Sequence, residues 1–273
     1  LLVENLEKTK VKLGTTLKSF SNRKEGVNVI MSDGTHQVFD LVVAADGINS
    51  QTRDEVFGKH KLKYYGWSLR FFWMPKHIPL PKGALCLSKE KTTFALYPTL
   101  GKCSVGIYEY NPKMINRPPL SIEDFLPYLK KHGWTEKHIQ DLAEEAKEGH
   151  QYYDHLKHVT VNRWYKNRVV LLGDSKHGIP PILGMGASMA LEDSYVLADE
   201  LAKVTKQNIN IALKNYSKRR DKRVKAVVNL SNFNERFFFI TSPFSRIIRN
   251  IVARFLPEKF FVNKLEKILN NPV

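Results

Sequence analysis

The chain of 273 residues has no apolar run long enough to span a bilayer. Its first residues, LLVENLEKTK, do not read as a secretion signal, because no charged n-region precedes the short apolar start and no h-region follows it. Cysteine is scarce. Cys86 and Cys103 are too few and too far apart for a metal cluster, and they read as reduced strand residues of a cytoplasmic protein. The nine histidines show no ligand spacing, so no metal is expected. No internal repeat, low-complexity linker or GxGxxG turn occurs anywhere. Acidic residues are in deficit, 27 against 43 basic, for a net charge of +16. Such a balance can signal nucleic acid, an anionic membrane or an anionic ligand. The lysines are scattered along the whole chain and no nucleic-acid signature accompanies them, so a nucleic-acid partner is not expected.

What is present is an α/β pattern with an interruption. Val27–Met31 and Val38–Ala45 read as strands joined by the turn Ser32-Asp33-Gly34-Thr35. The run DLVVAA is apolar on both faces, as a buried strand of an α/β sheet would be. A short helix over Gln51–Phe57 follows, capped near Asn49 or Ser50. Between about Lys61 and Tyr110 the texture turns to short β-type runs broken by Gly and Pro, which predicts an inserted antiparallel sheet. Helices are predicted over Ile122–His132 and Glu136–Glu145, with Ser121 and Thr135 as N-caps. Val169–Leu172 returns to a buried strand and Ala187–Ala202 to a helix. From Ile209 to Leu269 the chain is helical, basic and aromatic, with breaks near Ser242-Pro243 and Pro257.

The most informative stretch is VVLLGDSKHGIPPILGMGASMALE, residues 169–192. A buried strand runs into Gly173-Asp174, and Gly184-x-Gly186 opens a helix. Ligands of open α/β sheets bind beyond the carboxyl ends of the strands. Asp46 and Asp174 both stand at such ends, each beside a glycine, Gly47 and Gly173, that permits close approach. A carboxylate there can accept hydrogen bonds from the hydroxyls of a sugar or polyol. Taken alone, each aspartate could simply cap the next helix. The bare start of the 187–202 helix adds amides without internal partners at the positive end of the dipole, a place for an anion or an electron-rich carbonyl. Pro180-Pro181 stiffens the loop between them.

DLVVAADGINSQTR and GDSKHGIPPILGMGASMALEDS resemble two motifs of the FAD-dependent aromatic-ring monooxygenases, the family of para-hydroxybenzoate and salicylate hydroxylases. The first pattern, ADGxxSxxR, is met at Ala45, Asp46, Gly47, Ser50 and Arg53. The second, GDAAHxxxPxxGxGxNxxxxDA, is met at Gly173, Asp174, His177, Pro180 or Pro181, Gly184, Gly186 and Asp193. FALYPTLGKCSVGI resembles the family's substrate-sheet strands, and Tyr216–Arg223 resembles its Tyr/Arg-rich helix. The motifs lie in family order, about 120 residues apart.

The resemblance implies a Rossmann-like FAD-binding domain over 1–58 and 159–205. A substrate-binding β-sheet domain over 59–158 would be inserted in it, and a C-terminal helical region would cover 206–273. It implies FAD as cofactor, with Asp174 on the ribityl chain, the amides of Gly186, Ala187 and Ser188 on the flavin pyrimidine edge, and Asp46 with Gly47 near the pyrophosphate. Arg53 would organise the Asp46 loop. Pro181 would line the flavin, and with His177 it is a candidate near the reacting centre, His177 being read chiefly as structural. The implied activity takes NAD(P)H as co-substrate and O2 through a flavin C4a-hydroperoxide to hydroxylate a small aromatic substrate. An epoxidase or reductase of an isoprenoid is the alternative within the fold. A non-enzymatic basic fragment unable to hold FAD is the alternative outside it.

Three departures from the family pattern stand out. The family's GxGxxG unit for the ADP half of FAD is missing, which reads as a piece of a longer enzyme. Ser188 replaces a frequent Asn. Lys176 replaces a small residue and is expected to add positive charge near the cofactor. The basic run Lys218–Arg223 is expected to be a solvated helix face. The stretch FNERFFFITSPFSRIIRNIVARFLPEKFF is expected to pack as helices over the sheet, in preference to docking on an anionic membrane.

Overall fold

The computed structural model describes residues 4, 6, 8–74, 84–87, 92–99, 102–116, 130, 135, 137, 140, 152–255 and 259–270. The chain divides into two compact units. One comprises residues 1–61, 159–228 and 268–273, the other 62–158 and 229–267. The stretch 206–273 is thus divided between the two.

In the first unit, β1 (Leu17–Asn22), β2 (Val27–Met31) and β3 (His36–Phe39) form an antiparallel meander. The 32–35 turn is built as its residues suggest. Gly34 takes φ +84°, and Asp33 Oδ1 accepts from the Thr35 amide at 3.0 Å. β4 (Val42–Ala44) leaves this sheet. It pairs in parallel with β11 (Val169–Leu171), which pairs antiparallel with the two-residue β10 (Tyr165–Lys166). The single strand expected over Val38–Ala45 is therefore two strands in two sheets, parted at Asp40-Leu41. Val11–Leu13 is loop, and β1 lies further along. LKSFSN alternates polar and apolar residues only loosely, so its period is weak.

The core here is β-branched. Val27, Val29, Val56 and Val169 are buried together, with Leu17, Phe20, Met31, Phe39, Val42 and Phe57 packed around them. α1 (Gln51–Phe57) supplies Val56 and Phe57, and Ser50 caps it by accepting from the Arg53 amide at 2.9 Å. α2 (Asp174–His177), a 3-10 turn (Pro181–Leu183) and α3 (Gly186–Leu201) follow β11. α4 (Ile209–Phe238) runs for 30 residues, its first part in this unit and its last turns in the other.

The second unit is a five-stranded antiparallel sheet in the order β6-β7-β8-β5-β9. Its strands are β5 (Lys63–Met74), β6 (Ala84–Leu87), β7 (Thr92–Thr99), β8 (Lys102–Tyr110) and β9 (Tyr152–His158). The β-type runs of the sequence are all strands of this sheet. Cys86 and Cys103 lie on β6 and β8 with β7 between them, about 9–10 Å apart at least and beyond disulfide reach. The helices expected over Ile122–His132 and Glu136–Glu145 lie outside the described residues, except Lys130, Lys137 and Gln140.

Trp67, Leu69, Val105, Ile107 and Tyr108 are buried in the sheet. Phe239, just past α4, stacks on Trp67 at 4.8 Å between ring centres and lies 5.3 Å from Tyr108. Beside them is a buried polar cluster. Tyr65 Oη lies 2.9 Å from His158 Nδ1 and donates to Asn232 Oδ1 at 2.8 Å. Glu235 is 3% exposed, its Oε1 accepts from Ser231 at 3.3 Å, and its Oε2 has no partner. Burial pushes the Glu235 carboxyl up to about 7. The Tyr65 and Ser231 hydroxyls and the charges of Lys63 and Arg236 offset only part of this.

A carboxyl raised in the folded state leaves stability intact below its unfolded value of 4.5. Stability then falls as pH rises from there to about 7, where the loss is complete. Glu235→Gln removes the titration. The variant is expected to match the parent in urea denaturation near pH 4.5 and to exceed it by up to about 3 kcal/mol at pH 8. An equal difference at both pH values would contradict the buried-acid origin.

Candidate functional site

β4 and β11 are parallel neighbours, so their carboxyl ends open at the same edge of the first unit. The Leu172 amide donates to Ala44 O at 3.0 Å, and Ser175 Oγ donates to the same carbonyl at 2.6 Å. The two motif loops are thereby laced together immediately beyond the strands. Arg53 extends the lacing. It is 1% exposed, and its Nη1 donates to Ile48 O at 2.8 Å and to Ser175 O at 3.4 Å, one carbonyl from each loop.

The two aspartates are used differently. Asp46 Oδ1 accepts from Ser50 Oγ at 2.5 Å and Oδ2 from the Thr52 amide at 3.1 Å. Both oxygens serve the turn into α1, the capping use that a lone Gly-Asp could always have had. Gly47 makes this turn at φ +77°. Asp174 begins α2, and among the described residues no donor reaches its carboxylate. Partial desolvation raises its carboxyl above the ordinary value, and the charge of His177 offsets this.

The Asp174 carboxylate lies against the start of α3. A methyl group built on Gly186 would stand 3.9 Å from Asp174 Oδ1. Gly184 closes the preceding 3-10 turn in the left-handed region at φ +61°, and Pro181 opens that turn. Met185 at the N-cap offers no side-chain acceptor, so the amides of Gly186, Ala187 and Ser188 keep the bare helix start foreseen for them. A free carboxylate and a row of open amides can together receive a polyhydroxyl chain and an electron-rich carbonyl edge.

The loop between is held from behind by one buried carboxylate. Asp193, with no exposure, accepts from the Gly173 amide at 2.9 Å, from His177 Nε2 at 2.7 Å and from Arg220 Nε at 2.7 Å. Burial alone would raise this carboxyl. The hydrogen bond and charge of His177, the charge of Arg220 and the Gly173 amide together hold it below the ordinary range. His177 is therefore spoken for, its ring 2% exposed as a residue and tilted 59° against Trp164. Gly173 is irreplaceable here. It sits at φ +61°, and a Cβ on it would come within 2.9 Å of the Ala190 Cβ.

Two basic features are more deeply buried than their composition suggests. The Lys218–Arg223 run is a solvated face only at Lys218 and Lys222. Arg220 is fully buried, bonding Asp193 and, through Nη1, Glu192 Oε2 at 2.6 Å. Arg223 Nε donates to the same Glu192 oxygen at 2.7 Å. Tyr216, Arg220 and Arg223 recur at i, i+4 and i+7, one stripe of α4, and that spacing opposite Glu192-Asp193 was the missed signal. Lys176 does not project a free charge from its loop. It is 2% exposed with its ammonium 4.4 Å over the Trp164 ring. Burial pushes it down to about 8, against the pull of Asp221 and Asp193.

Comparison with known proteins gives the family of the chain. The FAD binding domain family matches residues 1–231, and the chain belongs to that family, the one shared with FAD-dependent aromatic-ring monooxygenases. An FAD-dependent monooxygenase, asL6, of Sarocladium schorii is 33% identical over 214 residues, covering 73% of this chain and 50% of that protein. The 6-hydroxynicotinate 3-monooxygenase of Pseudomonas fluorescens is 28% identical over 253 residues, covering 86% and 63%. The Klebsiella pneumoniae HpxO structure complexed with FAD and uric acid has the same fold. Its TM-score is 0.78 at 21% identity, over 95% of this chain and 67% of that one. The chain spans about half the length of the first curated relatives it matches.

Removing Arg220 leaves Asp193 buried beside a neutral gap. Arg220→Ala is expected to cost about 3–5 kcal/mol in chemical denaturation. The network's contribution is complete above the ordinary aspartate value of 3.8 and is lost as pH falls through the lowered one. A cost below about 1 kcal/mol at pH 7 would show that Arg220 is dispensable to the fold.

Proposed function

We propose that the protein to which this chain belongs is an FAD-dependent monooxygenase of small aromatic or heteroaromatic compounds. The overall reaction consumes NAD(P)H, a proton and O2, and yields NAD(P)+, water and the hydroxylated substrate. The observation that carries this reading is the unpartnered Asp174 carboxylate set against the open amide start of α3, in a member of the FAD binding domain family. These residues fit the ribityl and flavin half of FAD: an acceptor for hydroxyls, donors for a carbonyl edge, and glycines where backbone must approach a ring.

When bound, FAD supplies the redox chemistry that activates O2. The chain's own residues position and polarise. Asp174 accepts hydrogen bonds from the ribityl hydroxyls. The amides of Gly186, Ala187 and Ser188, at the positive end of the α3 dipole, favour negative charge on the ring edge they face. Pro181 holds the wall of the loop. Asp46 and Gly47 shape the neighbouring loop, and Arg53 ties it to the Gly173-Asp174 loop. His177 is a positioning residue acting through Asp193. The aromatic substrate class draws on the 6-hydroxynicotinate hydroxylase among the relatives and on the uric acid held by HpxO. The two strand cysteines suit a reducing cytoplasm.

The full open reading frame is expected to purify with the blue and near-UV absorption of bound flavin. Asp174→Ala is expected to retain flavin about 10- to 100-fold more weakly, the loss of a charged acceptor, with unchanged far-UV circular dichroism. Label from 18O2 in the product separates a monooxygenase from a reductase. A colourless, folded full-length protein would overturn the proposal.

A further inference from the structure

α5 (Pro243–Phe255) is built inside out. Its apolar residues, Phe244, Ile247, Ile248, Ile251, Val252 and Phe255, recur at i, i+3, i+4, i+7, i+8 and i+11 and form one face. In an ordinary surface helix that face is buried. Here it points to solvent: Phe244 is 72% exposed, Ile251 56% and Phe255 80%. The narrow polar side does the packing. Arg249 is 5% exposed and its Nη1 donates to Phe238 O at 3.0 Å, while Ser245, Arg246 and Ala253 are half-buried. The expectation that this stretch packs over the sheet therefore holds for Phe239, against Trp67 and Tyr108, and fails for the apolar face of α5.

We propose that this face seats the protein on an anionic membrane surface. The charges on the helix itself are of one sign. Besides the inward Arg249, α5 carries the half-buried Arg246 and the exposed Arg254, and no acidic residue. An apolar face flanked by basic side chains is the pattern of a helix lying at the headgroup boundary, its face 5–10 Å deep at most by order of magnitude. Spanning is excluded for this helix. Thirteen residues reach about 20 Å, short of the hydrocarbon core, and no helix among the described residues is long and apolar enough to cross. A second copy of the chain is the poorer occupant, because pairing like faces would bring Arg246 and Arg254 of one protomer toward those of the other. The lipid headgroup answers both the apolar face and its basic border.

The test uses the full-length protein, free of any dependence on its catalytic reading. Co-sedimentation is measured with phosphatidylcholine vesicles containing 30% phosphatidylserine, in the sense of roughly one anionic lipid in three, and with phosphatidylcholine alone. Binding is expected to the anionic vesicles and to fall at least about tenfold in high salt. Ile247→Glu/Ile251→Glu is expected to lose it by a similar factor, with flavin content and far-UV circular dichroism unchanged. A tryptophan placed by Phe244→Trp is expected to be quenched by brominated lipid beyond the parent. No binding at low salt overturns the proposal, as does equal binding to neutral vesicles. A concentration-dependent dimer that the double substitution dissociates, without vesicle binding, assigns the face to a second copy instead.

Discussion

Everything at the carboxyl edge of the parallel pair depends on one carboxylate. Asp193 is sealed from water and answers three donors that come from separate parts of the chain: the Gly173 amide at the end of β11, the His177 ring one turn later, and the Arg220 guanidinium from α4. A buried charge tolerates no vacancy among its partners, because each is close, directional and poorly replaced by water. The left-handed turn at Gly173 is therefore fixed from the rear. With it is fixed the placement of Asp174 on the front, whose carboxylate remains unpartnered. Rigidity behind the loop and openness before it are two sides of one arrangement.

How much of this could be read from residues alone varied with the range of the interaction. The strand endings at Gly173-Asp174 and Asp46-Gly47, the cap at Ser50 and the bare start of α3 are local, and glycine, proline and capping chemistry make them legible. The inward turn of Arg220 was not legible from composition. A run of eight residues with five basic side chains looks solvated, and only the pairing of Arg220 with Glu192 and Asp193, nearly thirty residues away, makes that residue part of the core. The burial of Lys176 was equally hidden. Its partner is the face of Trp164, which no spacing rule connects to it. Asp46 and Asp174 look alike in sequence, yet one is consumed by its own turn and the other is left open.

The sheet unit shows the opposite bias. Four of its five strands were evident from short β-type runs, but β9 and its polar interior were not. Tyr65, His158, Asn232 and Glu235 come from two strands and a helix, and they meet only when the last turns of α4 lie on the sheet. In α5 the periodicity was plain and its orientation was not. An amphipathic pattern states that one face is apolar and leaves open which way that face looks.

The parting of Val38–Ala45 at Asp40-Leu41 has a consequence for engineering. A residue inserted inside a strand throws every later side chain to the opposite face, since strands alternate with a period of two. Here the meander register is set by β1 and β2, and the register of Val42–Ala44 is set separately by β11. Asp40-Leu41 is a joint between two independently indexed sheets. It is the place in this unit where a graft, a peptide tag or a new pair of chain ends would leave both registers as they are.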